Sequence, residues 1–183
     1  QQQQQQQQQP LIGIQETLTD LGPNFINLLA QALQTQLQHG REVAVADVCP
    51  MRSTLSILHT VSGTSSGSLS ILNCQTILHG IVDVLRCYRD QLINVDAALL
   101  EVLGCLKNLT YYGDDYRRQL LQVPGLVSAL TSLPLTRNTT NTNTTTEAMG
   151  TTDTGNEKSK ALERLSAVWR NLAVSPETRA SLA

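Results

Sequence analysis

Apolar side chains recur along this chain at spacings of three and four, in blocks separated by Gly, Pro and Ser. In "FINLLAQALQTQLQ", Phe25, Leu28, Leu29, Ala32, Leu33 and Leu37 follow the stripe of a helix with one buried face. Asn24 offers an N-cap for that helix, and Gly40 after His39 offers its stop. Pro50 can open the next helix, "MRSTLSILHTVS", which Gly63 ends, and "GTSSG" at 63–67 reads as a flexible connector.

A longer apolar pattern follows in "SLSILNCQTILHGIVDVLRCY". Leu69, Leu72, Ile77, Ile81, Val84 and Leu85 approximate one face, with a slip near Asn73–Gln75, so one long helix or two short ones both fit. The strongest pattern is "NVDAALLEVLGCLKNLTYY", with Leu99, Val102, Leu106 and Leu109 on one side, Asp96 in its first turn and Gly113 as its stop. A helix from Asp114 or Asp115 is expected to end before Pro124, and a short one to start at Pro124. Finally "SKALERLSAVWRNLAVSPETRASLA" restarts the pattern with Leu162, Leu165, Trp169 and Leu172, and Ser175-Pro176 supplies the start of a further helix. That helix breaks off after one turn, which is expected of a fragment.

Two tracts break this rhythm. The Gln run at 1–9, ended by Pro10, has nothing apolar to bury and is expected to be disordered or transiently helical. The Thr/Asn-rich stretch at 136–158 is expected to be a disordered insertion, because so long a structureless loop is unusual inside a compact domain. The chain thus divides into 1–10, a helical part at 11–135, the insertion at 136–158, and a restart at 159–183.

The two strongest helical blocks match each other. Leu99, Val102, Leu106, Asn108 and Leu109 superpose on Leu162, Leu165, Trp169, Asn171 and Leu172 at an offset of 63. Arg117 and Leu120 match Arg179 and Leu182 at an offset of 62, the difference falling in the polar turn. Without about 20 residues of insertion the period is about 40, the length of armadillo and HEAT units. A helix ending in Asn-Leu, a tight turn and an Arg-bearing helix start resembles armadillo-type repeats, well over 98–135 and 161–183 and only as generic helical hairpins over 24–95.

That resemblance implies an all-α fold, an α-solenoid of armadillo-like helical repeats, and a protein-binding scaffold rather than an enzyme. In peptide-binding members of the superfamily the Asn of this helix hydrogen-bonds an extended peptide, usually beside a Trp one turn earlier. This chain departs from that pattern: Trp169 lies two residues before Asn171, and Leu106 stands at the equivalent place before Asn108. Its insertion-bearing, degenerate units are also similar to the armadillo-like chains of the rotatin family, which implies a setting in centriole assembly or cilium formation. Adaptors of nuclear transport or cell adhesion are the alternative within the superfamily. A compact helical bundle acting through its Gln and Thr/Asn tracts is the alternative outside it.

Composition supports the helical class. Hydrophobic residues make up 40% of the chain but aromatic ones only 3%, so the core is aliphatic, which suits packed helices better than a β-sandwich. The formal net charge is −2 and the basic residues are scattered, which argues against a nucleic-acid partner. With no apolar run long enough to span a bilayer and Gln at the N-terminus, the chain is expected to be soluble and intracellular, with no membrane partner.

Candidate chemistry is sparse. Cys49, Cys74, Cys87 and Cys105 are widely spaced among apolar residues and are expected to be buried free thiols. Three Asn-x-Thr sequons, at Asn108, Asn138 and Asn143, matter only in a secreted chain. His39, His59 and His79 are each isolated, as solvated or capping residues would be, and no phosphate loop or nucleophile elbow is present. No cofactor, metal or small-molecule substrate is therefore expected; other proteins are the expected partners.

Four residues stand out as partner-binding candidates. Asn108 and Asn171 either present amides to a peptide or satisfy backbone groups at their own helix ends. Arg117 and Arg179 either meet an acidic partner or pair with a nearby acid or the preceding helix end. Trp169, at helical spacing from Leu165 and Leu172, is expected in the core rather than at an interface.

Overall fold

A computed structural model describes residues 22–42, 49–90, 96–134, 154–174 and 176–182. The Gln run, most of the Thr/Asn-rich stretch and Ser175 lie outside these residues. Among the described residues the chain is all-α, with nine helices and no strand. They are α1 (Gly22–Glu42), α2 (Cys49–Val61), α3 (Ser65–Leu72), α4 (Gln75–Arg89), α5 (Asp96–Tyr111), α6 (Asp114–Leu121), α7 (Leu126–Thr131), α8 (Thr154–Leu172) and α9 (Pro176–Leu182).

The packing has a period of three helices. Helix α1 packs on α4 and α4 on α7; α2 packs on α5 and α5 on α8; α3 packs on α6 and α6 on α9. Each helix thus lies against the third one along the chain, with further contacts between α1 and α2 and between α4 and α5. A continuous aliphatic core runs through the stack, with Leu33, Leu55, Leu58, Ile71, Ile77, Ile81, Leu85, Leu99, Leu103, Leu106 and Leu109 almost wholly removed from solvent. Burial of each such side chain contributes about 1.5–3 kcal/mol, which is why helices too short to be stable alone persist here.

Helix boundaries differ from the sequence expectation where local turn chemistry outweighs periodicity. Helix α1 starts at Gly22, so Asn24 lies inside it rather than capping it, and it continues past Gly40 to Glu42. Its buried stripe is Ile26, Leu29, Ala30, Leu33 and Leu37: Leu29, Leu33 and Leu37 are buried as their spacing requires, Ile26 and Ala30 join them, Phe25 and Ala32 are half-buried, and Leu28 is 62% exposed. The expected connector at 63–67 is largely helix. Thr64 caps α3 by accepting a bond from the Gly67 backbone N–H at 3.1 Å, and Gly67 is itself buried. A Cβ at Gly67 would strike the Val61 carbonyl, so close packing explains this glycine.

The slip at Asn73–Gln75 is a break. Helices α3 and α4 meet at 85°, and the turn rotates Leu69 out of the apolar face, leaving it 45% exposed. Pro124 does not open a helix. Val123, Pro124, Gly125 and Leu126 form a type II turn, with Gly125 at φ 80°, ψ 0° and the Leu126 N–H bonded to the Val123 carbonyl at 3.2 Å, so α7 starts at Leu126. Helix α8 begins at Thr154, so the last five residues of the stretch 136–158 are helical. Among the described residues no single helix is long and apolar enough to cross a membrane.

Candidate interaction surface

Helices α2, α5 and α8 lie side by side, and the same polar bridge joins each adjacent pair. On α5, the Asn108 Nδ2 donates to the His59 carbonyl at 3.4 Å and to Ser62 Oγ at 3.1 Å, both at the end of α2. On α8, the Asn171 Nδ2 donates to the Lys107 carbonyl at 3.4 Å and to Thr110 Oγ1 at 3.1 Å, both at the end of α5. The acceptors are prepared by local chemistry. A Ser or Thr hydroxyl near a helix end bonds back to a carbonyl three or four residues earlier, as Ser62 does to His59 at 2.7 Å and Thr110 to Lys107 at 2.9 Å. Its oxygen lone pair is then held in place for the amide of the next helix.

Asn108 and Asn171 therefore satisfy the end of the neighbouring helix rather than their own. The sequence offset between them marks their equivalence, but no periodicity marks Ser62 and Thr110, the other half of each bridge. The pair His59/Ser62 corresponds to Lys107/Thr110 at an offset of 48, and no long shared motif surrounds it.

His59 is not isolated. Its Nδ1 lies 2.7 Å from Glu101 Oε2 across the α2–α5 seam, with both side chains partly buried. Beside them, Arg164 of α8 donates to the Leu100 carbonyl. Gly104 makes room for this crossing, since a Cβ there would lie 2.5 Å from the His59 ring and 2.8 Å from Arg164 Nη1. A polar strip thus crosses all three helices, joined by residues distant in sequence.

The two arginines are not equivalently placed. Arg117, 12% exposed, pairs with Asp114 at 2.6 Å, and its Nε donates to the Thr110 carbonyl at 2.9 Å. It combines the two structural roles open to it, an acid and the preceding helix end. Arg179 is exposed, and in its unit Thr178, buried one residue earlier, donates to the Leu172 carbonyl instead.

Trp169 is half-buried at the edge of the core, as is Leu162; the buried stripe of α8 is Ala161, Leu165, Val168 and Leu172. Their counterparts on α5, Leu106 and Leu99, are fully buried because α5 has a neighbour on each side. Of the thiols, Cys74 is half-buried while Cys87 and Cys105 are buried and free. Burial pushes the Cys105 thiol up to about 12, outweighing its bond to Ser62.

What remains exposed on the three-helix face is ordered. Lys107 and Arg170, each one residue before a bridging Asn, project to solvent, and His59 on α2 corresponds to Lys107 as the residue whose carbonyl accepts the amide of the next helix. One helical turn further on, Tyr111 and Val174 are 72% and 60% exposed. Neither Lys107 nor Arg170 has an ion-pair partner among the described residues. A basic row therefore runs beside an apolar one. Comparison with models of protein families, with curated proteins and with solved structures finds no match to this chain.

Proposed function

We propose that the chain is a stack of armadillo-like three-helix units that serves as a protein–protein interaction scaffold, without a catalytic step of its own. The observation that carries this reading is the repeated bridge, Asn108 onto the end of α2 and Asn171 onto the end of α5. Helices that pack at a fixed interval of three, with equivalent polar bonds at each interval, build a continuous surface one unit at a time. The α2–α5–α8 face, with its basic and apolar rows, is the binding surface in this reading. The resemblance to rotatin-like chains makes centriole or basal-body assembly the first cellular setting to test.

The test starts with affinity capture by the full chain from ciliated cells, identification of the captured protein, and reconstitution of its binding with purified components. Binding is expected to survive deletion of 1–9 and 136–153 and to be lost in Tyr111→Asp with Val174→Asp. Both substituted positions are exposed, so circular dichroism should be unchanged. Binding that ignores the face variant and disappears with the tracts would instead favour activity carried by the low-complexity segments. A fluorescently tagged chain at centrioles would support the cellular setting.

A further inference from the structure

The exposed rows lie on α5 and α8, and the row formed by Lys107 and Arg170 is basic. Lys107 and Arg170 each precede a bridging asparagine and match at the sequence offset of 63, while His59 corresponds to Lys107 as the residue whose carbonyl accepts the amide of the next helix. A cation in a last turn offsets the helix dipole, which accounts for Arg170; Lys107 lies before the last turn of α5. His59 is bonded to Glu101, whose carboxylate lowers the local positive charge at that end. Lys107 and Arg170 carry no such partner among the described residues. Glu163 is exposed on α8, two turns before Arg170.

Packed helices lie about 8–10 Å apart. A polyproline-II segment rises about 3.1 Å per residue with three residues per turn, so every third side chain returns to the same side after about 9 Å. The helix spacing and the polyproline-II repeat coincide. Tyr111 and Val174, one turn beyond Lys107 and Arg170, supply apolar ground beside the basic row.

We infer that this face takes an extended acidic segment in polyproline-II conformation, with a carboxylate at every third position and an apolar side chain next to it. This rests on the scaffold reading above and names the chemistry of the partner. Carboxylates of the segment meet Lys107 and Arg170, and its apolar side chains cover Tyr111 and Val174. The bridging amides of Asn108 and Asn171 stay inside the protein, so recognition comes from side chains at the repeat spacing.

The probe is a short labelled peptide of repeated Glu-Pro-Leu, titrated by fluorescence anisotropy against the full chain. Controls are a peptide of identical composition with its Glu residues grouped at one end, and repeated Lys-Pro-Leu. The regular acidic peptide should bind about tenfold more tightly than the grouped one, and more weakly as salt rises. Lys107→Glu with Arg170→Glu should abolish this binding and shift preference to the Lys-Pro-Leu peptide; Lys107→Gln with Arg170→Gln should abolish it without the shift. Thermal unfolding of the variants should match that of the parent chain.

Equal affinity for the regular and grouped peptides overturns the inference, as does indifference to both double variants. Displacement by heparin with no discrimination between the acidic peptides overturns it too, since any polyanion would then do. If these arms fail while Tyr111→Asp with Val174→Asp still abolishes binding of the reconstituted partner, the scaffold reading stands and the acidic segment falls. If that partner also binds the apolar-row variant normally, both fall.

Discussion

Asn171 stands on α5 as Asn108 stands on α2: each amide reaches the carbonyl of one residue and the hydroxyl of the residue three further on, with distances of 3.4 and 3.1 Å in both cases. This equivalence links the sequence repeat to the stacking, because it fixes the register of α8 on α5 as that of α5 on α2. It also means that the two residues join neighbouring helices instead of presenting free amides.

Asn108→Ala and Asn171→Ala should each lower stability by about 1 kcal/mol, the net value of a lost intramolecular hydrogen bond with its acceptors left in place. Urea denaturation measures this. A change within error for both would show that the bridges contribute nothing to the stacking.

The glycines should differ in a predictable order. At Gly67 an added Cβ meets the Val61 backbone carbonyl, which cannot step aside, so Gly67→Ala should cost about 1–3 kcal/mol. At Gly104 it meets the movable ends of His59 and Arg164, and the helix-propensity gain of about 1 kcal/mol for Ala over Gly offsets the displacement. Gly104→Ala should therefore be nearly neutral in thermal unfolding while separating His59 from Glu101, which the imidazole resonances of His59 would report.

Leu28 and Leu33 test the corrected face of α1. Leu33 is fully buried and Leu28 is 62% exposed. Leu33→Ala should cost about 2–5 kcal/mol, whereas Leu28→Ala should stay within about 0.5 kcal/mol. Similar losses at both positions would place Leu28 in the buried face as well.

Thiol chemistry should separate the described cysteines. Cys74, half-buried, should be alkylated first in the folded protein, while Cys87 and Cys105 should wait for unfolding. Burial raises the folded Cys105 thiol from its ordinary value of 9.0 to about 12. Its contribution to stability is then fully present below pH 9 and declines as pH rises toward 12, because only the unfolded chain gains by ionising there. Site-resolved labelling by mass spectrometry checks the order of reaction, and Cys105→Ala should flatten the alkaline loss of stability.

The sequence by itself determined that the chain is helical, where the principal helices lie, and that the blocks around Asn108 and Asn171 correspond. Those properties are local, or follow from a period that local sequence carries. Leu99, Val102, Leu106 and Leu109 are buried as their spacing requires, because a lone helix already sorts its side chains by face. Tertiary structure decided the rest. Leu28 lies outside and Ile26 inside because the position of α4 and α2, not the stripe of α1 alone, chooses which edge is covered. The same holds for Leu106 and Trp169, which match in sequence but differ in burial because α5 is flanked on both sides. His59 meets Glu101, and Ser62 meets Asn108, across separations of 42 and 46 residues that no periodicity records. Such pairings arise only when the helices stack, since the geometry of a polar bond depends on the distance and register between helices and not on the order of residues within one.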